Sequence, residues 1–199
     1  MIAALTDAVR DLEQRSCAEV VVEVRSRSGS YAHAESRFGA LIAFATLLLV
    51  VFSPWTFAPG WVVIDVAIVY FAGVWIARKS DTLRRWMSTP RERAAQVRTT
   101  AASLFFERGV ANTERETGVL VLLSLLERRL EILADRGVLS GVPALEWNRL
   151  IDVARARTDA TPATLLETLR ALEPLLAQHM PVRDGDRDEL PNAPWVGCE

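Results

Sequence analysis

Phe38–Ala77, FGALIAFATLLLVVFSPWTFAPGWVVIDVAIVYFAGVWIA, decides how this chain is organised. From Phe38 to Ile64 there is no charged residue, and after Asp65 the apolar run resumes as Val66–Ala77. One helix over the whole stretch would overrun a hydrocarbon core of ~30 Å and would have to pass through Pro54, Pro59 and Gly60. The stretch therefore reads as a first span at Phe38–Ser53, a turn through Pro54–Gly60, and a second span at Trp61–Ala77. Each span is close to the ~17 residues needed to cross. Trp55, Phe57 and Trp61 gather at the turn and Trp75 lies near the other end, the pattern of interfacial aromatic belts. Asp65 is expected in the first turn of the second helix, where a carboxylate complements the macrodipole.

The flanks give this hairpin a direction. Arg37 precedes it and Arg78, Lys79, Arg84, Arg85, Arg91 and Arg93 follow it, while the connecting loop is uncharged. The positive-inside rule then assigns both chain ends to the cytoplasmic side of a bacterial inner membrane. Arg78, Lys79, Arg84 and Arg85 become expected contacts for anionic headgroups. Lys79 is the only lysine, and the net charge of −2 argues against nucleic acid as a partner. Cys17 and Cys198 have no metal-ligand spacing. The first fifteen residues carry Asp7, Arg10, Asp11 and Glu13, which excludes a secretory signal there.

Before the hairpin, Ile2–Arg15 aligns Leu5, Ala8, Val9 and Leu12 as an amphipathic helix, and Glu19–Arg25, EVVVEVR, alternates as a strand with one apolar face. Neither can bury its face alone, so both must pack against chain that follows the hairpin. The hairpin is thus an insertion, with the regions 1–37, 38–78, 79–182 and a flexible acidic tail 183–199. After it, Thr89-Pro90-Arg91-Glu92 has the form of a capping box with proline at the first helical position, opening a helix that Gly109 stops. Gly118–Leu126 is an apolar run broken only by Ser124 and leads into Glu127–Ala134, which suits either a helix or two strands. Pro143–Arg157 and Pro162–His179 read as helices, the second kinked or divided at Pro174.

The segments GVLVLLSLLERRLEILADRGV (Gly118–Val138), NTERETGVLV before it, RDELPN near the C-terminus and AEVVVEVRSRSGSY at the start together resemble the TPM-domain family. The likeness is to its uncharacterised bacterial membrane-protein branch, related to thylakoid acid-phosphatase-like and photosystem-repair proteins. The resemblance implies an α/β/α sandwich around a small mixed sheet, interrupted here by the two-helix hairpin. It implies strands at Gly118–Leu125 and Arg129–Ala134, and it carries Thr113, Arg115, Gly118, Ser124, Glu127, Asp135, Gly137 and Trp147 as the family-motif positions.

Because phosphatase activity is attributed to part of that family, the acidic residues deserve a test. Glu127 and Asp135 flank the second strand as weak metal candidates, with Ca²⁺ or Mg²⁺ the implied ion. An extended strand would hold them roughly 26 Å apart at about 3.3 Å per residue, too far to share one ion. Arg115 and Arg128 are further anion candidates. Asp184, Asp186 and Asp188 imitate a calcium loop, but its glycine and closing glutamate are missing. His33 and His179 lack partners at ligand spacing. No catalytic constellation emerges. The expected function is a non-enzymatic accessory or assembly module for a membrane-protein partner, with metal-assisted phosphoester hydrolysis and anionic-lipid binding as alternatives.

Overall fold

The valines of EVVVEVR form β1, Glu19–Arg25, and they are buried on both sides of it. The computed structural model describes residues 1–182 and 189–197. Cys198 and the three aspartates Asp184, Asp186 and Asp188 lie outside the described residues. The chain forms two units, one from residues 1–28 and 94–199 and one from residues 29–93.

In the first unit, β1 pairs in parallel with β2, Gly118–Ser124, in the register Glu19↔Gly118 through Arg25↔Ser124. A tight turn with Arg128 at φ 50° reverses the chain into β3, Arg129–Ala134, antiparallel to β2. The helix-or-strand ambiguity of Gly118–Ala134 is thereby resolved as a strand pair. Leucine and glutamate favour helix only weakly, and tertiary pairing overrides such a preference. A short fourth strand, Trp195–Gly197, runs parallel to β1 and gives the sheet order β3-β2-β1-β4. The described part of the expected loose tail thus carries an edge strand.

One face of the sheet offers Val20, Val22, Val24, Val119, Val121, Leu123, Leu130 and Ile132 to a large core. That core is closed by α1 (Ile2–Glu13), α6 (Arg136–Gly141), α7 (Ala144–Ala156) and α8 (Pro162–His179). Leu12, Leu165, Leu169, Leu172 and Leu176 are fully buried there, each worth about 1.5–3 kcal/mol. Thr161 and Thr164 close a capping box at the start of α8, which runs unbroken through Pro174. The other face holds Val21, Leu120 and Leu122 against Val97, Ala101, Leu104 and Phe105 of α5, which spans Pro90–Glu107. This second cover is why β1 has two buried faces instead of the single apolar face its alternation suggested. The result is the α/β/α sandwich with a small mixed sheet.

In the second unit, α2 (Ala32–Val51) and α3 (Pro59–Lys79) are joined by residues 52–58. Both are long and apolar enough to cross a bilayer. Helix α2 starts six residues before the apolar run, and α3 starts at Pro59. Asp65 therefore lies in the second turn of α3, not in the first as expected. A short helix the sequence did not announce, α4 (Asp81–Met87), follows α3, with Ser80 Oγ accepting from Leu83 N–H. The capping box opening α5 is formed: Thr89 N–H donates to Glu92 at 2.8 Å and Glu92 N–H donates to Thr89 Oγ1 at 3.1 Å. The Thr89 backbone donor and then the Arg37 guanidinium hold the Glu92 carboxyl below its usual range.

Gly118 is held by close approach. A Cβ there would lie 2.1 Å from the Val110 carbonyl oxygen, a backbone atom that cannot swing aside. Gly118→Ala should destabilise the protein by about 1–3 kcal/mol or more, read as a lower urea midpoint of the full chain in mild detergent. An unchanged midpoint would contradict this packing.

Candidate functional site

The second unit is assembled in the opposite sense to the first. Apart from Glu35, the buried residues of the two helices are small: Ala34, Gly39 and Ala43 on α2, Gly73 and Ala77 on α3. A Cβ on Gly39 would lie 2.7 Å from Val74 Cγ2 and 2.8 Å from the Tyr70 carbonyl oxygen, and one on Gly73 would lie 3.0 Å from Gly39 Cα. The large apolar residues point outward instead, among them Leu41, Phe44, Leu49, Ile68, Phe71 and Trp75. Only 22% and 11% of the most apolar windows of the two helices are buried, whereas the core helix of a water-soluble protein is mostly buried. Small residues inside and large apolar ones outside is the packing used where the surroundings are themselves apolar. Thr46 returns its hydroxyl to the Ile42 carbonyl at 3.0 Å, leaving no free donor on that turn of side chain.

At the end of the pair where α2 begins and α3 ends, the charges are ordered. Glu35 is buried and accepts from Arg84 Nε and from Arg78 Nε, each at 3.1 Å. Arg84 also reaches Asp81 at 3.2 Å and donates to the Arg78 carbonyl. Arg84 is only 8% exposed, so its assignment to the headgroup-facing set does not hold: its charge is turned inward onto Glu35. Arg78 and Lys79 are exposed, and Arg85 is half-buried. Glu35 was not singled out in the sequence, although it is the last acidic residue before the apolar run.

In the first unit the acidic residues are used one by one. Glu23 on β1 is fully buried, with Arg108 donating through Nε at 3.0 Å and Nη2 at 3.1 Å and Arg25 donating at 3.1 Å. The Arg108 guanidinium stacks 3.9 Å from the centroid of the Trp195 ring. Glu131 on β3 is held by Arg155, with Arg98 at 3.8 Å. Glu127 is buried beyond the end of β2, accepting from the Ser28 N–H at 3.0 Å and from Ser124 Oγ, which in turn accepts from Ser28 Oγ at 2.6 Å. This hydroxyl chain ties the loop after β1 to the turn after β2.

The other family-motif positions have structural placements. Thr113 Oγ1 accepts from Thr117 N–H at 2.9 Å, Arg115 is exposed, and Trp147 is buried in the main core. A Cβ on Gly137 would meet the Arg115 and Glu116 carbonyl oxygens at 2.5 and 2.6 Å. Asp135 caps α6, accepting from Arg136 N–H at 2.7 Å, while its other oxygen is buried without a hydrogen-bond partner. Glu127 and Asp135 sit at opposite ends of β3, and no three His, Cys, Asp or Glu side chains converge among the described residues. One orphaned oxygen outside any cluster of three such ligands does not fit a metal-activated water. His33 is exposed, and His179 Nε2 lies 3.1 Å from Glu146.

No family model and no curated protein matches the chain. Among solved structures it is similar to the NMR structure of BA42 protein from the psychrophilic bacterium Bizionia argentinensis. The likeness is one of fold. It has a TM-score of 0.52 at 16% identity and covers 98% of this chain and 91% of that one.

The Glu23 cluster supplies a direct test of the sheet's electrostatics. Removing one partner of a buried ion pair strands the other charges, a cost of about 3–5 kcal/mol. Glu23→Leu should lower stability by that order in denaturant titration, and adding Arg108→Met should recover part of the loss. A single variant as stable as the parent would contradict the assigned pairing.

Proposed function

We propose that this chain is a membrane-anchored, TPM-like domain that serves as a non-catalytic accessory or assembly module for another membrane protein or complex. The observation that carries the reading is the outward display of large apolar side chains on two helices whose mutual contact is made of glycine and alanine. In water such a surface is a standing liability, while in hydrocarbon it is the ordinary lipid face. The pairing of β1 with β2 brackets the helix pair in sequence, so both flanks belong on one side of the bilayer. The arginine-rich flank and the uncharged connecting loop favour the cytoplasmic side of a bacterial inner membrane.

The accessory role is supported by how the domain uses its polar groups. Its buried carboxylates are held by arginines, hydroxyls and backbone N–H groups, an arrangement that stabilises a scaffold. The four motif segments add the TPM reading to the fold-level likeness.

Three measurements check this. In a Cys198→Ser background, Thr56→Cys should react with a membrane-impermeant maleimide in intact spheroplasts, while Glu114→Cys should react only after the membrane is opened. Alkaline carbonate should leave the chain in the pellet. The reverse labelling pattern would overturn the orientation, and release by carbonate would overturn the anchor. Crosslinking in the native membrane should retain a second membrane protein, and repeated recovery of this chain alone would overturn the accessory role.

A further inference from the structure

The basic residues from the last turn of α3 onward divide into two kinds. Arg84 is folded onto Glu35 and Asp81. Arg93 donates through Nη1 to the Arg85 and Ser88 carbonyls, each at 2.7 Å, and so ties off the carbonyl end of α4. These two are internal struts. Arg78, Lys79 and Arg91 are exposed. Arg78 uses only Nε on Glu35, and its side chain is 63% exposed.

The local acids are already committed. Glu35 holds Arg78 and Arg84, Asp81 holds Arg84, and Glu92 is engaged with Arg37 and the Thr89 N–H. The unit of residues 29–93 contains seven basic residues, Arg37, Arg78, Lys79, Arg84, Arg85, Arg91 and Arg93, against the four acids Glu35, Asp65, Asp81 and Glu92. Asp65 lies thirteen residues before Arg78 in the same helix, about 20 Å away at 1.5 Å per residue. The surplus therefore concentrates at the end of α3 and the start of α5. Two indole rings share that region, Trp75 on α3 at 63% exposure and Trp86 on α4 at 68%.

We propose that this end of the helix pair binds anionic lipid headgroups, with Arg78, Lys79 and Arg91 meeting the phosphate oxygens and Trp75 and Trp86 lying at the headgroup level. The proposal deepens the membrane reading and rests on it. Exposed indole beside exposed guanidinium and ammonium, at the end of an apolar helix, matches the layered chemistry of an interface, where ring and side-chain stem are apolar and the tip is charged. A soluble polyanion would match the charge but would leave the indoles and the adjoining apolar helix surface without a counterpart. Arg84 is excluded from the contact set because its guanidinium is already satisfied.

The test uses the full chain reconstituted in phosphatidylcholine vesicles containing trace spin-labelled phosphatidylglycerol or spin-labelled phosphatidylcholine. Electron paramagnetic resonance reads the fraction of each probe immobilised on the protein. Phosphatidylglycerol should be preferred, and the preference should fall with added salt. Arg78→Gln, Lys79→Gln and Arg91→Gln should each cut it by about five-fold, since a basic residue near the surface is worth about 1 kcal/mol. Arg10→Gln in α1 should leave it unchanged, and circular dichroism confirms that each variant is folded. Equal immobilisation of both probes by a chain that resists carbonate extraction would overturn the headgroup site and leave the anchor intact. A chain that carbonate releases would overturn the membrane reading and this proposal with it. A preference that survives the triple variant would overturn the residue assignment. Tighter binding of an oligonucleotide in neutral micelles than of phosphatidylglycerol would overturn the choice of lipid.

Discussion

Strand β1 has no neighbour until β2 and β4 are made, and β2 lies on the far side of the helix pair in sequence. Its seven residues pair in parallel with Gly118–Ser124, and both of its faces are buried only when α5 covers one and the α1–α8 layer covers the other. Everything in the first unit is conditional on that long-range pairing. It also constrains the inserted segment: whatever the helix pair crosses, it must return the chain to the side it left. An even number of crossings satisfies this, and a single crossing would separate β1 from its partner.

The two units solve burial by opposite means. In the sandwich, leucine and valine fill the interior, and a buried carboxylate is held by partners, as Glu23 is by Arg108 and Arg25 and Glu127 by Ser28 and Ser124. In the helix pair, the contact is narrowed by Gly39 and Gly73 until backbone meets backbone, and the leucines and phenylalanines are left outside. An outward apolar face gains nothing from water, so its stability must come from its surroundings. The ion cluster of Glu35 with Arg78 and Arg84 then marks where the apolar region stops, because buried charge of this kind is tolerated only when fully paired.

Much of this was legible in the residues. The apolar run broken by Pro54, Pro59 and Gly60 specified two helices and a turn, and Thr89-Pro90-Arg91-Glu92 specified the start of α5, because both signals are local. Gly118–Ala134 was not decidable from periodicity, since a doubly covered strand and a buried helix share the same composition. The burial of Glu23 on the α5 side could not be read at all, because it depends on a helix seventy residues away. The division of the basic run was equally hidden: Arg84 and Arg85 are adjacent and alike in sequence, and only the geometry of α4 turns Arg84 onto Glu35. The small-residue spacings Gly39-xxx-Ala43 and Gly73-xxx-Ala77 were a usable signal for the helix contact. The strand at Trp195–Gly197 had none, being three residues long and held by its pairing with β1 and by Arg108 stacked on Trp195.

The central claim is that the outward faces of α2 and α3 meet hydrocarbon, and collision accessibility measures this directly. A nitroxide at Phe44, Leu49 or Phe71, in the chain reconstituted into vesicles, should collide readily with molecular oxygen and hardly at all with a water-soluble nickel chelate. A nitroxide at Glu114 should show the reverse. Accessibility to the nickel chelate at Phe44 and Phe71 as high as at Glu114 would contradict the account.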